Sequence, residues 1–184
     1  VMMLGGSHLT GATPQLLGLA MGVYGLSQAL LQIPAGALSD RIGRKPVIIG
    51  GLLIFAAGSV LAATSDSIWG VVAGRALQGC GAIASAIMAL VTDITRDENR
   101  MKAMATIGAS IGLSFSAALI LGPALAAAGG LTAIFGVTAL LALIGIGIVL
   151  TLPSPPRRQH RDASAALPDV IKQLKNPAMW PLIT

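Results

Sequence analysis

Long apolar runs separated by short polar stretches dominate the chain. A helix needs about 20 residues to cross a bilayer core of roughly 30 Å, and five runs reach that length with almost no charge. Each run predicts a transmembrane helix, and residues 1–5 have the composition of the end of an earlier one. The five helices are predicted over about 16–36, 46–64, 69–92, 103–127 and 131–152.

The polar stretches between the runs predict the loops. Composition supports this division, because 54% of the residues are hydrophobic and only 10% are charged. A soluble domain has about 25% charged residues, so the chain is predicted to be a polytopic membrane protein. The predicted loops are residues 6–15, 37–45, 65–68, 93–102 and 128–130.

The basic residues predict the orientation of the helices. Of the 12 lysines and arginines, 11 lie in alternate polar stretches, and the stretches between them have none. By the positive-inside rule the basic stretches are cytoplasmic. The net charge of +5 therefore reports topology and the membrane lipid as partner, and no nucleic-acid partner is expected. The cytoplasmic basic residues are Arg41, Arg44, Lys45, Arg96, Arg100, Lys102, Arg157, Arg158, Arg161, Lys172 and Lys175.

Three parts of different composition follow one another along the chain. Residues 1–152 form the predicted N-terminal transmembrane helical bundle, and residues 177–184 resemble the start of another transmembrane helix. Between them, residues 153–176 are predicted to be a cytoplasmic linker with a short amphipathic helix on the membrane surface, or alternatively a disordered linker. Its apolar positions have helical spacing: Leu167, Val170, Ile171 and Leu174.

Three sequence motifs resemble those of the major facilitator superfamily. The charged segment Gly36-Ala-Leu-Ser-Asp-Arg-Ile-Gly-Arg-Lys45 fills every defined position of its signature between helices two and three. Arg75-Ala-Leu-Gln-Gly79 is similar to its fourth-helix signature. Gly122-Pro123 resembles the antiporter signature of the drug:proton branch, although Ala118, Ala126 and Ala127 replace glycines of that pattern. Within the superfamily, the chain resembles the YajR-type bacterial transporters in runs such as Ser39-Asp-Arg-Ile-Gly-Arg-Lys-Pro46.

The resemblance implies an all-α transmembrane fold. The chain is predicted to be the N-terminal six-helix half of a major facilitator superfamily fold, truncated in the first helix and at the start of the seventh. It implies that the C-terminal half of the same protein is a partner of this one.

The resemblance also implies a conformational latch at the cytoplasmic end. In the family, the aspartate that matches Asp40 meets the positive end of a helix in the other half, and the arginine that matches Arg44 pairs with an acidic residue at the place of Asp93. Alternatively, the charges serve topology alone. The predicted latch residues are Gly36, Asp40, Arg41, Gly43, Arg44, Lys45 and Asp93.

Arg75 is the only ionisable residue well inside a predicted span. It either faces a central cavity or extends its side chain toward the outer surface, since an intramembrane charge is costly. The resemblance implies a role in proton coupling. No acidic residue lies within the predicted spans, so a proton-carrying carboxylate is expected outside this chain. The predicted cavity residues are Tyr24, Gln28, Arg75, Gln78 and Gly79.

Small residues on the fifth predicted helix suggest close helix packing. Gly108, Gly112 and Ser116 recur at every fourth position, and Pro123, next to Gly122, is predicted to kink the helix. The ridge packs either within this half or, as the family implies, against the other half. Gly18, Gly22 and Gly25 on the first complete helix allow the same two interpretations.

Other classes of site are not supported by the residues. His8 and His160 lie in separate loops, so no metal site is expected, and Cys80 is the only cysteine. The chain lacks a phosphate-binding Walker pattern and a nucleophile with its base. No enzyme activity and no cofactor are predicted.

The expected function is secondary active transport by alternating access. Proton-coupled export of a small-molecule substrate, hydrophobic or amphiphilic, fits the weakly polar cavity, with protons as the coupling ion. The alternatives are a facilitator for another metabolite class, such as a sugar or organic anion, and a non-transporting membrane receptor or scaffold with this fold. The expected location is the bacterial inner membrane.

Overall fold

The chain is a bundle of long helices, as the apolar runs predict. The computed structural model describes residues 10, 11, 13–81 and 83–152. The predicted linker at 153–176, the helix start at 177–184 and the stub at 1–5 lie outside the described residues. The helices are α1 (Pro14–Ile42), α2 (Arg44–Ala63), α3 (Ile68–Cys80), α4 (Ala84–Ile94), a short 3₁₀ helix (Asp97–Asn99) and α5 (Arg100–Thr151).

Helix α5 contains two predicted spans joined at a pair of glycines. Its 52 residues would extend about 78 Å as one straight helix, more than twice the bilayer core. Gly129 and Gly130 leave the helical region, and Gly130 has φ 62° and ψ −148°. The predicted break at 128–130 is therefore confirmed. The backbone remains helical through Pro123, so the interruption comes at the glycines rather than at the proline.

The predicted loop at 37–45 is wrong, because these residues are helical except for Gly43. Helix α1 continues to Ile42, and α2 begins at Arg44. A helix satisfies its own backbone hydrogen bonds, so it can extend past the apolar run into the polar region. Pro46 is compatible with this because it lies in the first turn of α2, where its missing N–H costs no helical bond.

The predicted span 69–92 is correct in position but is interrupted. Helix α3 ends at Cys80 and α4 begins at Ala84. At the interruption Gly81 lies against α2, where an added Cβ would be 2.5 Å from the carbonyl oxygen of Gly51 and 3.0 Å from the Cβ of Phe55. The two backbones can approach this closely only without a side chain at Gly81.

Two apolar clusters hold the helices together. Near the basic end of the bundle, Val47 and Ile48 of α2 pack on Ala86 and Leu90 of α4. At the opposite end, Phe135 of α5 joins Ala62, Ile68 and Val71. Residues 131–151 of α5 therefore pack along α2.

The outer surface of the bundle is apolar. Within the described residues, four helical stretches are long and apolar enough to cross a membrane, and one of them contains both spans of α5. Large side chains such as Ile33, Leu113 and Ile120 are exposed. A surface of this kind fits a bilayer, so the chain is a multi-pass membrane protein.

Candidate functional site

Arg44 is the centre of a charged cluster where α1, α2 and α4 meet. Its Nε lies 3.0 Å from Oδ2 of Asp93, and its Nη1 lies 2.5 Å from Oδ1 of Asp40. The pair that the family resemblance implies, Arg44 with Asp93, is thus present in the structure. One guanidinium joins the end of α1 to the end of α4, because its fork of N–H donors can serve two carboxylates.

Ser39 contributes hydrogen bonds to this cluster. Its side chain is buried, accepts a 2.6 Å hydrogen bond from Nη1 of Arg44 and donates a 2.7 Å bond to the carbonyl of Gly36. Gly36 itself lies beside α4, where an added Cβ would be 3.2 Å from Oγ of Ser85. We call Ser39, Asp40, Arg44 and Asp93 the charged cluster.

Gly43 makes the geometry of the charged cluster possible. Its φ of 106° and ψ of 155° lie outside the conformations that other residues adopt readily. This single residue separates two helices and directs Arg44 back toward Asp40. The backbone conformation of this turn therefore explains why the signature has a glycine at this position.

The other two basic residues of the signature lie outside the charged cluster. The ammonium of Lys45 donates to the carbonyl oxygen of Leu152, so it ties α2 to the end of α5. Arg41 is exposed in the last turn of α1, where a positive charge favours the negative end of the helix dipole.

The charged cluster is partly exposed to solvent, which weakens its ion pairs. The side chains of Arg44, Asp93 and Asp40 are 15%, 30% and 49% exposed. Charge-assisted hydrogen bonds in such a position contribute about 1–3 kcal/mol. Contacts of this size can hold one arrangement of helices and still break during a conformational change.

A second polar group surrounds Arg75, in the middle of α3. Nη1 of Arg75 donates to Oε1 of Gln78 at 2.9 Å, and the guanidinium carbon lies 4.2 Å from the centre of the Tyr24 ring. Stacking over an aromatic face stabilises a cation. The structure therefore brings together three of the residues predicted to line a cavity.

A cavity of about 190 Å³ lies beside this group, between α1, α2 and the α3–α4 interruption. Tyr24, Gln28 and Gln78 are its polar wall, and the rest of its lining is mainly apolar: Leu52, Phe55, Gly79, Gly81, Ile83, Ala84 and Ile87. Arg75 contacts two of the polar residues without lining the cavity. The cavity therefore combines an apolar surface with two amides and one phenol.

Gly79 has a packing role in addition to its place in the cavity wall. A Cβ added there would lie 2.8 Å from the Cβ of Ser27 and 3.2 Å from the backbone nitrogen of Gln28. Helices α1 and α3 are in contact at this position. The signature glycine thus brings Tyr24 and Gln28 next to Gln78.

The predicted glycine ridges lie on open surface. An added Cβ at Gly108, Gly112 or Gly122 would meet nothing within 4 Å, and the same holds for the α1 glycines Gly18, Gly22 and Gly25. Packing of these ridges against the other described helices is therefore excluded. Contact of these ridges with the other half stays a prediction.

Sequence reasoning missed Ser59. This residue on α2 is completely buried and accepts a 2.6 Å hydrogen bond from Nε2 of Gln78. A serine in an apolar helix gives little signal, since it usually satisfies its hydroxyl on the preceding turn of its own helix. Only the position of α3 reveals its partner.

Comparison with known proteins places the chain in a family. The sequence model described as Major Facilitator Superfamily matches residues 3–184. The inner membrane transport protein YajR of Escherichia coli K12 is 59% identical over 145 residues, which are 79% of this chain and 32% of that protein. The resemblance to YajR-type transporters is confirmed.

More distant relatives include named resistance proteins. Multidrug resistance protein 2 of Bacillus subtilis 168 is 36% identical over 71% of this chain and 30% of its own length. The class B tetracycline resistance protein of Escherichia coli is 33% identical over 57% of this chain and 26% of its own length. The chain spans about a third of the length of such relatives.

Proposed function

The chain belongs to the Major Facilitator Superfamily, a family of transporters, and we propose that the full-length protein exports small hydrophobic or amphiphilic compounds in exchange for protons. Transport occurs by alternating access, in which two halves rock around a central path. This chain supplies most of the N-terminal half. The second half is the partner of this one, and the protein resides in a bacterial inner membrane.

The observation that carries the proposal is the bridge made by Arg44. It joins α1 to α4 through Asp40 and Asp93, at the end of the bundle that has the basic residues. We propose that the charged cluster closes the cytoplasmic side in one state and rearranges in the other. A bridge of about 1–3 kcal/mol is suited to this because transport requires two states of similar free energy.

Arg75 supports the proposal that transport is coupled to protons. An arginine well inside a span costs about 2.5–3.5 kcal/mol on insertion scales, and residues of that cost are retained for function. Its contacts with Gln78 and Tyr24 keep it within the bundle. We propose that it stabilises the ionised form of a carboxylate that binds the transported proton, since a nearby positive charge has that effect.

The cavity and the relatives support the proposed class of substrate. The lining is mainly apolar with two amides and one phenol, which favours amphiphilic molecules over sugars. Relatives named for multidrug and tetracycline resistance are consistent with export of such compounds.

The test is pH-gradient-driven transport by the full-length protein in proteoliposomes. Proton movement is followed while lipophilic cations and neutral drugs are added. We expect substrate-dependent proton flux in the wild type, loss of coupling in Arg75→Ala, and partial coupling in Arg75→Lys, because lysine keeps the charge but not the planar fork.

Two results would contradict parts of this proposal. A well-folded wild type that moves no protons with any compound would contradict proton-coupled export. Unchanged coupling in Arg75→Ala would instead show that Arg75 only extends toward the membrane surface.

A further inference from the structure

We propose that Ser59 of α2 is a positioning residue, which orients the amide of Gln78 and through it the guanidinium of Arg75. The proposal rests on the proposed role of Arg75 in coupling. It adds α2 to a polar group whose predicted members, Tyr24, Gln28, Arg75, Gln78 and Gly79, lie on α1 and α3.

The direction of each hydrogen bond follows from the chemistry of the hydroxyl. Oγ of Ser59 donates its single proton to the carbonyl of Phe55 at 2.8 Å. A serine hydroxyl has one proton, so toward Gln78 it can only accept. The amide nitrogen of Gln78 must therefore face Ser59, at 2.6 Å.

The orientation of the amide then determines what Arg75 meets. With its nitrogen turned to Ser59, Gln78 presents Oε1 to Arg75, whose Nη1 donates to it at 2.9 Å. The opposite orientation would place the amide N–H groups against a guanidinium that has only donors. In the series of hydrogen bonds from Arg75 through Gln78 and Ser59 to Phe55, each group therefore donates to the next one.

Burial prevents water from replacing these bonds. Ser59 is 0% exposed and Gln78 is 1% exposed. The helices are in close contact beside them, since an added Cβ at Gly58 would lie 2.6 Å from the backbone nitrogen of Gln78. An amide that lost Ser59 would keep a buried donor without a partner and would be held by Arg75 alone.

Arg75 is held at two points, and the other one comes from α1. The Tyr24 ring lies 4.2 Å from the guanidinium carbon. Stacking on the ring constrains the plane of the guanidinium, while Gln78 fixes its rotation within that plane. The other N–H groups of the Arg75 guanidinium therefore have fixed directions. These directions depend on Ser59, because Ser59 orients Gln78.

The first experiment compares coupled and uncoupled transport in full-length protein. We expect Ser59→Ala to lower pH-gradient-driven flux by about fivefold, the effect of one lost buried hydrogen bond. Flux down a substrate gradient without a pH gradient should stay within about twofold, because the path is intact. Ser59→Cys keeps the shape of the side chain with a somewhat larger atom, and its sulfur is a weak acceptor, so it should behave as Ser59→Ala.

The matched control is Ser110→Ala. Oγ of Ser110 bonds to the carbonyl four residues earlier at 2.8 Å, as Ser59 does, but Ser110 lies on the exposed part of α5. This variant should leave both fluxes unchanged. Equal losses of coupled and uncoupled flux in Ser59→Ala would overturn the proposal, since they would indicate a packing defect.

The second experiment does not depend on transport. The melting temperatures of Ser59→Ala, Arg75→Ala and the double variant are measured in detergent with the full-length protein. A double variant less destabilised than the sum of the single variants supports the proposal, because Ser59 acts through Arg75. Additive shifts overturn it. If the wild type shows no proton coupling, the proposed function fails, and this cycle alone decides the role of Ser59.

Discussion

Arg44 shows what one side chain at a helix end can do. Three groups on two other helices converge on it, because Ser39, Asp40 and Asp93 all lie within 3.0 Å of its nitrogens. A lysine has one compact ammonium and could not match this planar arrangement. The residue type in the signature is therefore a requirement of geometry as well as of charge.

Gly43 gives the clearest prediction at the scale of a residue. Gly43→Ala should destabilise the full-length protein by about 1–3 kcal/mol, since alanine is strained at a φ of 106°. Thermal unfolding in detergent measures the effect. Gly136→Ala is the matched control, because an added Cβ there meets nothing within 4 Å and the backbone is helical. Equal melting temperatures for both variants would contradict the role given to the turn.

Single residues differed in how well the sequence predicted them. Arg44 and Asp93 were predicted as a pair because a family motif connects their positions, and the pair is present. Lys45 was assigned to the same latch, but it bonds to the end of α5. Ser59 was not predicted, since nothing in an apolar helix indicates which helix will pack beside its serine.

At the scale of the element, the crossing of α2 and α3 depends on facing glycines. A Cβ added at Gly74 would lie 2.7 Å from the carbonyl oxygen of Gly58 and 2.8 Å from the Cβ of Ala62. Both helices must separate to admit a methyl group. The bonds from Ser59 to Gln78 and Arg75 lie at this crossing, so separation would break them.

This crossing gives a second prediction. Gly74→Ala should destabilise the protein by about 1–3 kcal/mol through overpacking and should reduce coupled transport. Melting temperature and pH-driven flux are measured together. Gly50→Ala, on α2, is the control because nothing lies within 4 Å of its added Cβ, and it should be neutral or slightly stabilising. A stable Gly74→Ala variant with normal coupling would show that the helices do not depend on this contact.

The limits of the elements were less predictable than their existence. Apolar length identified each span, because the bilayer sets it. It could not show that α1 runs on to Ile42, since a helix satisfies its own backbone hydrogen bonds and can continue after the apolar run ends. The interruption after Cys80 was also missed, because it depends on the approach of Gly81 to α2.

At the scale of the whole molecule, the first part of α5 is exposed. Residues 108–121 are exposed at every position, while residues 131–151 pack along α2. The ridge with Gly108 and Gly112 lies on this open surface. We propose that this ridge and the ridge on α1 pack against the other half of the transporter.

The fold class was predictable as a whole because the bilayer limits the possible structures. Spanning segments must satisfy their backbone internally, so apolar length and charge placement are enough to predict a helical bundle. The motifs then identified the family, which the sequence comparison confirms. The cavity beside Gln78 was predictable only in part, because Leu52 and Phe55 of α2 carry no sequence signal of their own.

The most direct test of the central claim is substrate flux in the full-length Asp40→Asn variant, relative to an equal amount of wild type. The charge that pairs with Arg44 is lost while the side chain keeps its size. The claim that this cluster closes one side of the path predicts normal abundance with flux reduced at least tenfold. Asp97→Asn is the matched control, since Asp97 also pairs with an arginine, Arg100 at 2.6 Å, but lies outside the cluster. Wild-type flux in Asp40→Asn would contradict the claim.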